Sequence, residues 1–295
     1  MRILKRSAAV VFVATLWCAS AATGRAEPAR PLRILTSFYP AYITTLNIVE
    51  DTAGVDVECL TPPTVGCLHD YQLTPGDLIK LSQADIFVAN GAGMEAFIDK
   101  VLQQLPRLKV VEASQGISLA FGGNPHVWVA ISGAIAQTHT VARALAEADP
   151  AHAALYAKNA SVYAAKLERL RAKMHAALDH LPHRDIVTFH EAFPYFAKEF
   201  GLHIVGVVER EPGSEPNARE LADTIAMLKS HQAQAVFAEP QYPAKCAEVI
   251  HRETGIPIGL LDPVVTGPRD PAAAREAYLR AMEQNLAVLV RTLSG

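Results

Sequence analysis

Short apolar runs with β-strand character alternate with helical patterns along most of this 295-residue chain. Eight such runs occur, at 32–38, 55–60, 84–90, 108–113, 185–190, 203–208, 233–239 and 256–262. Clear helical patterns accompany the second set, at 216–229, 243–253 and 271–292. Strands that alternate with helices form parallel sheets, because each helix carries the chain back across the sheet. The sequence therefore predicts an α/β fold.

A longer helical pattern separates the two sets of four runs. Asp149 is its predicted N-cap, Pro150 lies in its first turn, and apolar or small residues then recur every three or four positions. Roughly 30 residues of helix would extend about 45 Å, enough to reach across two lobes. We therefore expect two Rossmann-like α/β lobes, at 27–148 and 182–295, joined by a connecting helix over 149–181.

The first 26 residues have the layout of a secretory signal peptide. Basic residues precede an apolar run at 8–16, and small residues follow it up to a preferred cleavage point after Ala26. The run is too short for a membrane span. The bulky Trp17 before Cys18 argues against lipid attachment at that cysteine. We expect an exported, soluble periplasmic protein without a transmembrane segment in the mature chain.

The net charge of the mature chain indicates which partners to expect. Removing residues 1–26 takes away four basic residues and no acidic residue, so the formal charge moves from −3 to −7. An acidic protein of this kind is not expected to bind nucleic acid. We expect a monomer.

Four metal-capable side chains follow predicted strands, where parallel sheets place their ligand crevices. They are His69, His126, His190 and Asp262, the first two in the first lobe and the last two in the second. Three imidazoles and one carboxylate complete a four-coordinate zinc site and leave no position for an activated water. Their spacing alone does not bring them together, and a lone histidine is more often a structural residue than a metal ligand.

Several segments around these residues are similar to those of the zinc and manganese solute-binding proteins of ABC importers, over nearly the whole mature chain. The matching segments are Cys67-Leu-His69-Asp-Tyr71, Asn90-Gly-Ala-Gly-Met-Glu95, Pro125-His126-Val-Trp128, Phe189-His190-Glu-Ala-Phe193, Glu239-Pro-Gln241 and Leu261-Asp262-Pro263. The family has two α/β lobes joined by one long helix.

The resemblance implies that His69, His126, His190 and Asp262 hold one divalent ion in the interlobe cleft. The ion would be Zn²⁺, with Mn²⁺ as the alternative, bound as cargo for an ABC permease and its cytoplasmic ATPase. His190 favours zinc, because three nitrogen ligands suit a borderline ion better than hard Mn²⁺. Residues 114–124 lack the histidine- and acid-rich loop of many zinc members. Glu239 remains a rival to Asp262, or a partner of a ligating histidine.

The three cysteines of the mature chain raise a separate question. In an oxidising compartment Cys59 and Cys67 are expected to form a disulfide that clamps the loop carrying His69. The alternative is that Cys67, two residues before His69, ligates a soft metal as thiolate. Cys246 lies in a helical pattern and is read as a small buried apolar residue.

Two other functions compete with metal capture. A metal-dependent periplasmic hydrolase would use Glu191 or Glu239 as general base, but it needs an open coordination position. An adhesin or a binder of chelated metal would recognise a larger ligand through aromatic residues of the cleft, namely Phe38, Tyr39, Trp128 and Tyr195. The saturated ligand set favours a binding protein over an enzyme.

Overall fold

The computed structural model describes residues 30–68, 71–208, 217–230, 234–241 and 244–294. The predicted signal peptide lies outside these residues. Each of the eight predicted β runs contains a strand, and each strand is shorter than its run. The strands are β1 Leu32–Thr36, β2 Val55–Cys59, β3 Ile86–Ala89, β4 Lys109–Glu112, β5 Asp185–Thr188, β6 His203–Val207, β7 Ala235–Ala238 and β8 Ile258–Leu260.

The strands form two four-stranded sheets with the same topology. Their orders are β2-β1-β3-β4 and β6-β5-β7-β8, and every pairing is parallel. In each sheet the chain runs from the first strand to one side and then returns to the other, which opens a crevice at the carboxyl ends of the two central strands. The predicted α/β class with two parallel-sheet lobes is confirmed.

Ten α-helices accompany the sheets in the described part of the chain. They are α1 Tyr39–Ile48, α2 Pro75–Gln83, α3 Asp99–Leu102, α4 Ile131–Ala148, α5 Ala153–Leu178, α6 Pro194–Glu199, α7 Ala218–Ser230, α8 Ala244–Thr254, α9 Pro271–Arg275 and α10 Ala277–Leu293. The pattern at 271–292 predicted one helix, but the structure has two, α9 and α10, which meet at Glu276. Helix α4, which packs along α5, has no counterpart among the predicted helices.

The long helix α5 starts later than predicted. Residues Pro150–His152 form a 3-10 turn, and the α-helix begins at Ala153. Asp149 does not cap its first turn as a standard N-cap would. Its carboxylate instead accepts hydrogen bonds from the Tyr156 hydroxyl and from His152 Nδ1, both at 2.7 Å. The 26 residues of α5 extend about 39 Å.

One hydrophobic core runs through both lobes. Because successive strand residues point to opposite faces of a sheet, the same strand can contribute to this core and to a second one. Ile34 of β1 and Ile186 of β5 belong to this shared core, together with the buried face of α5. Their neighbours Leu35 and Val187 point the other way, into a smaller core between each sheet and its outer helices.

Hydrogen bonds near the cleft also join the two halves of the chain. Trp128 Nε1 donates to the Pro263 carbonyl at 2.8 Å, and the Tyr278 hydroxyl donates to the Trp128 carbonyl at 2.8 Å. The segment after β8 contacts the first lobe too, since the Tyr39 hydroxyl donates to the Pro268 carbonyl at 3.1 Å. Residues from Pro31 onward form one compact unit. No helix in the described ranges has both the length and the apolar character needed to cross a membrane.

Candidate metal centre

His126 lies in the loop after β4, and its ring is held by hydrogen bonds on one side. Asn124 Oδ1 accepts from the backbone N–H of His126 and from its ring nitrogen Nδ1, both at 3.0 Å. Because an amide oxygen can only accept, Nδ1 carries the proton and Nε2 keeps its lone pair. The side chain is only 2% exposed. In this tautomer Nε2, which faces the Cys67 sulfur, can act as a metal ligand.

The loop that carries His126 is itself fixed to the first sheet. Asn90, directly after β3, donates to the Pro125 carbonyl at 3.0 Å, and Gln137 of α4 donates to Asn90 Oδ1 at 2.8 Å. Glu95 accepts from the backbone N–H groups of Asn90 and Gly91. Desolvation raises the pKa of Glu95, although these hydrogen bonds oppose the shift. The network holds the backbone on the first-lobe side of the cleft.

His190 lies just beyond β5, at the point where the second sheet changes direction. Glu239 follows β7, the neighbouring central strand, and its Oε2 lies 3.6 Å from His190 Nδ1. This separation is longer than a hydrogen bond. His190 is 2% exposed and Glu239 is 1% exposed. The Glu239 carboxylate therefore faces the Nδ1 side of the buried His190 ring without hydrogen-bonding to it.

The two histidines meet across the cleft. Their ring centroids are 4.9 Å apart and the rings are nearly perpendicular, at 84°. The sulfur of Cys67 lies 3.6 Å from His126 Nε2. One possible ligand atom from each of Cys67, His126 and His190 lies within 4.8 Å of the others. These are the metal-capable residues that the described part of the chain gathers most closely.

Asp262 follows β8 and stays outside that close group. Its backbone is clamped by Asn285 of α10, which accepts from the Asp262 N–H at 2.8 Å and donates to its carbonyl at 2.9 Å. One carboxylate oxygen accepts from the Val264 N–H. Desolvation, with a smaller effect of the Glu239 charge, raises the pKa of Asp262. A cation bound nearby would oppose both effects by stabilising the ionised carboxylate.

His69 lies outside the described residues, but the residues on either side of it are held in the first lobe. Leu68 is fully buried, and its carbonyl accepts from the Tyr71 N–H at 3.0 Å. The Tyr71 hydroxyl donates to Asp77, which also closes the capping box of α2 with Thr74. The segments on both sides of His69 are therefore anchored to the first lobe.

The predicted disulfide between Cys59 and Cys67 is not present, and both cysteines are free. The Cys59 thiol ends β2 and hydrogen-bonds with Thr36 and Thr61, while burial raises its pKa to about 11. The Cys67 sulfur lies against His126 instead. Burial and the nearby Glu239 charge raise the pKa of the Cys67 thiol well above its ordinary value. Cys246 is half-buried and packs against the outer core of the second lobe.

The aromatic residues considered for a larger ligand are mostly core residues. Phe38, Tyr39 and Trp128 are each 1% exposed, and the Phe38 and Trp128 rings pack edge to face. Tyr195 is half-buried, and its hydroxyl donates to the Asn124 carbonyl at 2.8 Å. These side chains support the two histidine loops.

Comparison with known proteins identifies the family. The family model for the periplasmic zinc-uptake complex component A, ZnuA, matches residues 34–292. The chain belongs to the ZnuA family. The resemblance to zinc and manganese solute-binding proteins is thereby confirmed.

Proteins similar to this chain are described with different metals. The high-affinity zinc uptake system protein ZnuA of Bacillus subtilis is 29% identical over 89% of this chain and 88% of its own length. The iron-binding protein YfeA of Yersinia pestis is 30% identical over 79% of this chain and 77% of its own length. The structure of FpvC from Pseudomonas aeruginosa in complex with Mn²⁺ superposes with a TM-score of 0.80 at 32% identity, covering 90% of this chain and 98% of FpvC. Zinc, iron and manganese are thus each associated with a relative of this chain.

Proposed function

We propose that this protein is the periplasmic solute-binding component of an ABC importer and that it captures one divalent transition-metal ion, zinc in the first place. The observation that carries the proposal is the pair His126 and His190, which are buried and face each other across the cleft with ring centroids 4.9 Å apart. Two imidazoles from different lobes suit a borderline ion. Export with cleavage after Ala26 and delivery to a permease and its ATPase belong to the same proposal.

The proposed ligands are His69, His126, His190 and Asp262. The position of Asn124 supports the role of His126, because it holds Nδ1 and leaves Nε2 facing Cys67. Glu239 lies 3.6 Å from the buried Nδ1 of His190, close enough to stabilise a ligating imidazole. Glu239 thus acts as the partner of His190, and Asp262 supplies the carboxylate ligand.

A hydrolase finds less support in the same cleft. Glu191, one candidate general base, is exposed, and its backbone carbonyl accepts a hydrogen bond from Asn124. Glu239, the other candidate, faces His190 and accepts from Gln241 at 2.6 Å. Neither carboxylate is therefore positioned as a general base beside an open coordination position of a metal ion.

Native mass spectrometry of metal-stripped mature protein, offered zinc and manganese in competition, tests the proposal. We expect one zinc per chain in the wild type, and His190→Ala to lower zinc affinity at least about 100-fold, since losing a ligand costs no less than losing its supporting partner. His203→Ala is the matched control, because His203 is 66% exposed and lies on β6. It should bind zinc like the wild type.

Two results would contradict this proposal. One is a wild-type protein that takes up neither ion stoichiometrically. The other is a folded His190→Ala variant, verified by circular dichroism, that retains wild-type zinc binding.

A further inference from the structure

Cys67 is the residue of the cleft that the proposed ligand set does not use. Its sulfur lies 3.6 Å from His126 Nε2, the nitrogen that keeps its lone pair. It also belongs to the group with His126 and His190 whose possible ligand atoms lie within 4.8 Å of one another. The sulfur thus lies beside both central histidines.

The sulfur-to-nitrogen distance agrees with the geometry of a shared ion. A tetrahedral zinc lies about 2.3 Å from a thiolate sulfur and about 2.0 to 2.1 Å from an imidazole nitrogen. At the tetrahedral angle these bond lengths place the two donor atoms about 3.5 to 3.6 Å apart. The observed separation is 3.6 Å. A tetrahedral ion would therefore fit between Cys67 and His126 without a change in their separation.

The loop that carries Cys67 is anchored on both sides. Leu68 is fully buried in the shared core. On the other side the Pro63 carbonyl accepts from the Gly267 N–H at 3.0 Å, a contact with the segment after β8. A β-carbon added at Gly66 would lie 3.7 Å from Gln241 Cγ of the second lobe. The sulfur is therefore held at the cleft by contacts with both halves of the chain.

We propose that Cys67 Sγ is a direct ligand, with His126 and His190, for thiophilic ions such as Zn²⁺. This inference rests on the proposed function and identifies the ligand atom that sets the ion preference of the protein. When the ion binds, a sulfur–metal bond forms and the thiol proton passes to solvent. The inference changes one donor of the proposed set: for Zn²⁺ the Cys67 thiolate replaces the carboxylate of Asp262, which lies outside the close group, and Asp262 remains the fourth ligand for harder ions.

Cobalt(II) loading of the mature protein reads out the sulfur ligand directly, because thiolate ligation produces a charge-transfer absorption in the near ultraviolet. We expect this band in the wild type and its loss in Cys67→Ser, with the visible bands of the bound cobalt retained. Cys59→Ser and Cys246→Ser are the controls, since Cys59 hydrogen-bonds with Thr36 and Thr61 and Cys246 packs in the second lobe. Both should keep the band.

Competition titrations with zinc and manganese measure the consequence for selectivity. We expect Cys67→Ser to lower zinc affinity at least about tenfold and to leave manganese affinity within about twofold, so that the preference for zinc falls. Wild-type protein that binds cobalt and zinc without the charge-transfer band would overturn the role of Cys67 and leave the proposed function standing. Wild-type protein that binds no ion would overturn both.

Discussion

Asn124 joins the two loops that present the central histidines. Its Oδ1 accepts from the His126 backbone and ring, and its Nδ2 donates to the Glu191 carbonyl, next to His190, at 2.8 Å. A single amide thereby sets the tautomer of one proposed ligand and the distance to the loop of the other. The position of Asn124, two residues before His126, is typical of a local side-chain turn. That pattern was visible in the sequence, although its link to Glu191 was not.

Replacing Asn124 should weaken metal binding without removing a ligand. We expect Asn124→Ala to lower zinc affinity about 10- to 100-fold, because His126 loses the acceptor that orients its ring. Isothermal titration in the presence of a competing chelator measures this change.

Asn159→Ala is the matched control for that measurement. Asn159 of α5 also donates to two backbone carbonyls, those of Ile48 and Glu50 at the end of α1, rather than to a histidine loop. It should lose thermal stability and keep zinc affinity. Equal zinc affinity in the Asn124 and Asn159 variants would exclude the positioning role of Asn124.

Among the elements, α5 shows how a helix start can be stabilised without a standard cap. The Asp149 carboxylate accepts hydrogen bonds from Tyr156 and His152 across the 3-10 turn that precedes the helix. Partial burial acts to raise the pKa of Asp149, but these hydrogen bonds and the His152 charge outweigh burial and hold the pKa below its ordinary value. The ionised carboxylate thus stabilises the start of α5.

The sign of this pKa shift predicts a pH dependence of stability. A carboxyl with a lowered pKa in the folded state stabilises the protein above the unfolded-state value of about 3.9, and the effect is lost as the pH falls through the folded-state pKa. We expect Asp149→Asn to lower the free energy of unfolding at pH 7 by about 1 kcal/mol. Urea titrations should show the gap from wild type closing below about pH 4.

The other end of the same helix supplies the control. Asp179 is 49% exposed and pairs with His175 on the last turn of α5. Because exposed pairs contribute little, Asp179→Asn should change stability by at most about 0.5 kcal/mol. A gap between wild type and Asp149→Asn that stays constant from pH 7 to pH 3 would show that the charge of Asp149 is not responsible.

For the molecule as a whole, the shared core and the cleft hydrogen bonds restrict how the two lobes move. The Trp128 indole donates a hydrogen bond to the Pro263 carbonyl, and the Trp128 carbonyl accepts one from the Tyr278 hydroxyl. Both hydrogen bonds join the two halves of the chain. A large hinge opening would break these bonds and expose apolar surface of the common core. The structure favours rearrangement of the metal-binding loops over rotation of whole lobes.

Small-angle X-ray scattering of apo and zinc-loaded protein measures the extent of this motion. We expect the radius of gyration to change by less than about 1 Å on loading, since pre-organised binding sites move little. A marked contraction on loading, as expected for a hinge closure of the two lobes, would contradict the restraint that we assign to Trp128 and the shared core.

The sequence by itself determined the α/β class, the eight strands and the family, because strand and helix periodicity and local motifs depend on neighbouring residues. His126 and His190 were recognised from such motifs. Only the tertiary structure decided that their rings lie 4.9 Å apart and that Asn124 reaches Glu191. It also decided that Cys67 faces His126 rather than Cys59. These contacts are between residues that are far apart in the chain, and they depend on how the two lobes pack around their shared core.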